Sequence, residues 1–340
     1  MKRSLLILVA TAAVWTGCSK TETIDQPQGM AIGFTNAYIG NPVESKAVGI
    51  IDQNNINEFL VYGGYNDMTH VFDEVSVTGS ADTDEWSYTT TRYWVAGKTY
   101  KFAAYAPSGI SGTVEPDFAT GTLDFTDYVS DPTNQYDLIY NAADSITTPD
   151  PLENPLGKVQ FEFSHLLSMI KFTFNSGFAN DIKVTVDSLN VSGMVSQGNY
   201  IGSTGTWDPG SETVSTEAAF TEMASKVAVN QSSGNTSASS VDFAVIPQEI
   251  GDGTTVTVSF NVRVQDNLQN YIIGNEGAGV NVSATLPAYK WEKGNRYNYT
   301  VTIKGENVDL YPIEFGIPNV TEITNDVNFA GSDEVVLPTN

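Results

Sequence analysis

Two histidines, one cysteine and 40 acidic residues are the side chains in this 340-residue chain that could carry acid–base, nucleophilic or metal chemistry. His70 and His165 each stand in strand-like sequence with no partner close by in the chain, so each reads as a structural histidine rather than a base or ligand. Asp82, Asp84 and Glu85 in "ADTDEW" are close enough to touch a calcium ion. The stretch lacks the glycine and distal glutamate of a calcium loop, and reads as a solvated hairpin tip. Paired carboxylates serve a glycosidase only in a fixed geometry, which spacing among so many acids does not reveal. No glycine-rich loop opens a helix to cradle phosphate. The chain is therefore expected to be no enzyme, with no catalytic residue, no metal ligand and no cofactor. Trp94 in "YWVAG" and Trp291 in "WEKGNRYNY" could stack on sugars, but both lie where strand patterns begin or end, and core packing is the first reading.

The elements around these residues are strands. Runs such as "NEFLVYGG", "THVFDEVSVTG", "TYKFAAYAP", "KVQFEFSHLLSMIKFTFN" and "RYNYTVTIKG" are rich in Val, Ile, Thr, Tyr and Phe and alternate with period two. In "TVTVSFNVRV" the valines and Phe260 share one face, with Thr, Ser, Asn and Arg on the other, the pattern of a half-buried antiparallel strand. Helical periodicity is confined to "FSHLLSMI" and "STEAAFTEMASKV" (215–227), which could each hold a short helical turn. A dozen or more strands at this spacing predict an all-β chain of two β-sandwich domains. The proline-rich "SITTPDPLENPLG" (145–157) marks the boundary, giving domains over 30–156 and 157–340, and the Ser/Asn-rich 230–240 reads as a long loop.

The first residues, "MKRSLLILVATAAVWTGCSK", carry a basic start, an apolar run too short to span a bilayer, and small residues before Cys18. This resembles a bacterial lipobox, with Trp15 where leucine is usual, and predicts a signal peptide over 1–17 and acylation (palmitate) at Cys18. Residues 18–29 read as a flexible tether. With Cys18 acylated, no thiol is left for catalysis, and a single cysteine forms no internal disulfide. The formal charge of −24, from 16 basic and 40 acidic residues, offers no basic patch for nucleic acid and repels anionic membranes. Lys46 is the only Lys or Arg between Thr21 and Thr91. In "GNPVESKAVGIID", after Asn41-Pro42, it stands in an irregular stretch as a lone trypsin-type cleavage point.

Several separated motifs then occur in one order: "YKFAAYAP", "YDLIYNAA", "FEFSHLLSMIKFTF", "LNVSGMVSQGNYIGSTGTW", "FAVIPQ" and "LPAYKWEKGNRYNYTVTIK". Together they resemble the fimbrillin (Mfa-like) family, lipoprotein subunits of type V pili, from the lipobox to about Gly305. The resemblance implies two tandem transthyretin-like (Greek-key) β-sandwiches, export to the outer membrane and cell surface, and assembly into a fimbrium with other pilus subunits, as homo- or hetero-polymer. It implies that a trypsin-like protease cuts after the first strand, and that a neighbour's strand fills the groove left behind by strand addition. Carried onto this chain, Lys46-Ala47 is the scissile bond, with Lys where many members have Arg. Residues 30–40 are the displaced strand, with Ile32, Phe34, Tyr38 and Ile39 toward the core. The donor strand is one of two C-terminal stretches: Ile313, Phe315 and Ile317, or Val327, Phe329, Val335 and Leu337. The alternative is a monomeric or tip-located surface lipoprotein adhesin that binds glycan or a host protein.

Overall fold

The structure, a computed structural model, describes residues 30–39, 50–65, 69–80, 83–132, 135–154, 156–179, 181–215, 220–222, 227–230, 237–251, 253–304 and 314–323. Among them there is no α-helix, and the chain is all-β. The first strands are β1 (Phe34–Ile39), β2 (Glu58–Tyr65), β3 (Thr69–Ser80), β4 (Glu85–Tyr88) and β5 (Thr99–Ala106). Then come β6 (Thr113–Asp117), β7 (Thr122–Val129), β8 (Ile139–Thr147), β9 (Val159–His165), β10 (Ser168–Ser176) and β11 (Lys183–Ser192). The hairpin β12 (Gln197–Ile201) and β13 (Thr206–Pro209) is followed by β14 (Phe220–Glu222), β15 (Val227–Asn230), β16 (Ser237–Ser239) and β17 (Phe243–Val245). The last are β18 (Glu249–Ile250), β19 (Thr257–Gln265), β20 (Tyr271–Ile273), β21 (Val280–Thr285), β22 (Tyr289–Lys290), β23 (Asn295–Ile303) and β24 (Asn319–Glu322).

A seven-stranded sheet runs β1-β9-β8-β5-β2-β3-β4. It curls until its two ends meet: the Phe34 ring of β1 lies 5.7 Å from Tyr88 of β4. Inside the curl sits a first core of Phe34, Phe59, Phe72, Phe102, Phe161 and their neighbours. Gly63 makes room for it, because a Cβ there would lie 2.3 Å from Cδ1 of Phe102. Alternate residues of β2 and β5 face outward, and they too are buried: Leu60, Tyr62, Ala103 and Tyr105 pack on Phe125, Tyr128 and Tyr200. Those last residues belong to a sheet ordered β13-β12-β7-β6, which unites strands from both halves of the chain.

Apart from β18 and β22, which pair in a small sheet of their own, the remaining strands form a two-sheet sandwich. One sheet holds β16-β10-β23-β24, the other β14-β11-β19-β20, and Phe172, Phe174, Val186, Phe260 and Tyr299 fill the space between them. The alternation read in "TVTVSFNVRV" is seen in β19, with one exception. Arg263, on the polar side, is buried and paired with Asp187 of β11, which supplies the charge partner that a buried guanidinium requires. The helical turn expected in "FSHLLSMI" does not form. In "FSHLLSMI" the chain crosses from β9 to β10 through Leu166 and Leu167, and the described residues of 215–227 include strand β14, paired with β11. Strand β9 follows the proline-rich stretch yet pairs with β1 and β8, so the chain leaves the first sheet only after His165.

At this crossing the sequence motifs find their structural use. Gln248 Oε1 accepts from Val195 N–H at 2.8 Å and its Nε2 donates to Val195 and Ile246 carbonyls, a side chain acting as a strand neighbour. Gln248 and Trp291 also exchange two backbone hydrogen bonds. Gly294, at φ +72°, turns the chain so that its N–H donates to Leu167 O, while Ser168 Oγ donates to Glu292 O.

Candidate functional site: the inserted first strand

Segment 30–39 is held from two sides. Upstream, Ile32 N–H donates to Arg92 O at 2.8 Å and Trp94 N–H donates to Met30 O at 2.9 Å. Downstream, Val159 N–H donates to Gly33 O, and β1 then runs parallel to β9 from Phe34↔Val159 to Ile39↔Phe163. The register slips by one residue between Thr35 and Ala37. An extra residue in a strand reverses which positions face inward, so Ile32 and Phe34 point into the core before the slip, and Ala37 and Ile39 after it. All four are at most 1 % exposed.

Phe34 is the anchor. Its ring lies 5.3 to 6.4 Å from those of Phe59, Phe72, Tyr88, Phe102 and Phe161, mostly edge to face. Full burial of such a side chain contributes about 1.5–3 kcal/mol, and the ring pairs add to this. Polar groups of the body complete the seat. Tyr88 OH donates to Ile32 O at 2.7 Å and accepts from Arg92 N–H. Burial pushes the Tyr88 phenol above its ordinary pKa, against the opposing pull of the Arg92 amide. Thr35 Oγ1 donates to Asp84, which also pairs with Lys158 at 3.7 Å, and Gln53 Oε1 accepts from Ile39 N–H at 3.0 Å.

Among the expected first-strand residues, the structure places Ile32, Phe34 and Ile39 inside the first core; the side chain of Tyr38 lies outside the described residues. Ala37 takes a core position that simple alternation did not assign, because the slip at Asn36 shows only against the partner strand. Lys46, Ala47 and Cys18 lie outside the described residues, as do Ile313, Val327, Phe329, Val335 and Leu337. Phe315 is buried in the second core against Phe172, Phe260 and Tyr299, and Ile317 is exposed. Trp94 and Trp291 are both core residues.

The histidines have structural partners. His165 Nδ1 lies 2.9 Å from Asp137 Oδ2, which also accepts from Ile51 N–H and so fixes the chain shortly after Lys46. His70 stacks on Phe118 at the surface. Among the described residues no group of three His, Cys, Asp or Glu could hold a metal ion, and no helix is long and apolar enough to cross a membrane.

A curled sheet closed by an inserted edge strand, joined to a two-sheet sandwich, makes an all-β protein in which the first strand is held inside the first core. The chain belongs to the fimbrillin-like family, whose family model matches residues 46–317. The matched span begins at Lys46, so β1 lies ahead of it. The fold is similar to that of a fimbrial protein from Bacteroides vulgatus, at 18 % identity and a TM-score of 0.57, covering 87 % of this chain and 100 % of that one. It is also similar to a candidate cell adhesion protein from Bacteroides uniformis, at 18 % identity and a TM-score of 0.51, covering 87 % and 99 %. No protein among curated sequences matches. The family makes this chain a structural, non-enzymatic protein of the fimbrial and adhesion type, and the cell surface is where such proteins work.

Proposed function

We propose that the chain is a pilus subunit that is exported as a lipoprotein through Cys18, cut at Lys46-Ala47, and polymerised when a neighbour's strand replaces residues 30–39. The observation that carries this reading is the seat of segment 30–39. Four apolar side chains reach the first core from a sheet edge, and the only basic residue for many positions follows seven residues after Ile39. Loss of this segment uncovers an aromatic groove and a free strand edge, which together invite strand addition. Between the two donor stretches, the docking of Phe315 in its own chain favours 327–337 as the segment that leaves.

The test is limited trypsin treatment of the purified chain, followed by sequencing of the new N-terminus. The expected result is a terminus at Ala47, an intact body, and a ladder of oligomers that resists detergent and collapses on boiling. Cleavage elsewhere with Lys46 left whole defeats the maturation step. Cleavage at Lys46 that yields only monomers supports the second reading, a tip-located or monomeric adhesin, favoured by the pairing of β24 with β23 within the same chain. Labelled palmitate, retained by the wild type and lost in Cys18→Ala, tests the lipid anchor.

A further inference from the structure

The Pro-Gln and Trp-x-x-Gly motifs take no part in strand replacement, yet they meet the β12–β13 hairpin at a cleft of about 360 Å³. That volume falls in the range of small-ligand sites. Strand β13 lines it with Trp207 and Pro209, two residues apart and so on one face of the strand. Pro247 and the buried Trp291 complete the apolar lining. Trp207 is half-buried and fixed: its Nε1 donates to Leu166 O at 2.7 Å, and the Tyr128 and Tyr200 rings pack on it at 5.6 and 5.5 Å.

The remaining lining is charged and balanced. Glu249 and Lys290 are cross-strand neighbours in β18–β22, and Lys290 Nζ lies 3.1 Å from Glu292 Oε1. Lys293 Nζ donates to Gly205 O at 2.6 Å above the Tyr200 ring, and partial burial lowers its pKa. Two carboxylates thus face two amines in a molecule of net charge −24. Such a setting favours a neutral ligand, since an anion meets the carboxylates and the overall field, and a cation meets the amines.

We infer that this cleft binds a neutral saccharide, with one pyranose ring lying on Trp207 and its hydroxyls directed to Glu249, Glu292 and Lys290. The C–H groups on a pyranose face carry slight positive charge and suit the negative face of an indole. Hydroxyls both donate and accept, which matches a rim of alternating carboxylate and ammonium. The site needs neither the cut at Lys46 nor a neighbouring subunit, so its test is independent of the polymerisation reading.

The uncut full chain is titrated with cellobiose, lactose, mannobiose and N,N′-diacetylchitobiose by calorimetry and tryptophan fluorescence. Sialyllactose and a decaproline peptide serve as the charged and the peptide comparators. At least one neutral disaccharide is expected to saturate with a Kd on the order of 1 mM or tighter. Because Trp207 also supports Tyr128 and Tyr200, the exposed Glu249→Ala and Lys290→Ala carry the comparison. Each is expected to weaken binding about fivefold or more at an unchanged melting temperature. Absence of binding by all four disaccharides, binding untouched by both substitutions, or tighter binding of sialyllactose or decaproline overturns the inference.

Discussion

Segment 30–39 places Ile32, Phe34, Ala37 and Ile39 in the first core, whereas segment 314–323 gives the second core Phe315 alone. Both segments lie at the edge of a sheet, and both come from the far end of the sequence that their core otherwise uses. They differ in depth. Segment 30–39 is walled by backbone on both flanks, while among the described residues β24 pairs only with β23 and all four of its residues are exposed. Ile323 adds a second anchor, but in the cluster where the two halves meet. One segment is therefore part of a core, and the other is laid over one. A groove capable of holding a foreign strand is expected where the loss is deep, and a segment free to move is expected where it is shallow.

Truncation separates the two segments most strongly. A chain beginning at Ala47 is expected to lose about 5–10 kcal/mol of burial free energy and to associate or bind a hydrophobic dye. A chain ending at Lys304 is expected to stay monomeric with a modestly lower melting temperature. Equal behaviour of the two removes the distinction. Point substitutions sharpen it: Phe34→Ala is expected to cost about 4 kcal/mol and Phe315→Ala about 3 kcal/mol in chemical denaturation, the latter closer to an edge that can relax.

Acid should act on the polar side of the sandwich, at the Asp187–Arg263 pair. Burial pushes the Asp187 carboxyl up, but hydrogen bonds from Arg263, Ser188 and Asn261 outweigh it and leave the pKa below its ordinary value. A carboxyl lowered in the folded state stabilises above its unfolded value and loses that contribution as pH falls through the folded one. Melting temperature is thus expected to drop below about pH 4, with a shallower drop in Asp187→Asn. The smallest effect concerns the polar clasp on the first strand. Thr35→Val removes the bond to Asp84 and is expected to cost about 1 kcal/mol, read as faster strand loss after proteolysis.

Much of this fold was legible in the chain because alternation in long strands such as β19 and β23 states both the element and its buried face. Arg263 broke the pattern because its partner, Asp187, lies 76 positions away. Ala37 was hidden for a similar reason: a one-residue slip exists only between two strands, and β9 lies more than a hundred residues downstream. In 215–227, where periodicity allows a short helical turn, the described residues 220–222 form strand β14 paired with β11, a partner that local sequence does not reveal. The Pro-Gln and Trp-x-x-Gly motifs were visible as spelling, but their meaning depends on Gln248 meeting Val195 across the crossing.

Gly63 has a reach beyond its own strand. Phe102 rests directly on its bare backbone, and Phe34 stands 6.4 Å from Phe102 in turn. Rings interlocked in this way, each braced by another, have little freedom to slump into a vacancy. A groove that keeps its shape when empty has met its ordering cost during folding, so an entering strand finds a preorganised mould. The absence of one methyl group thus helps decide whether an emptied core stays receptive or closes.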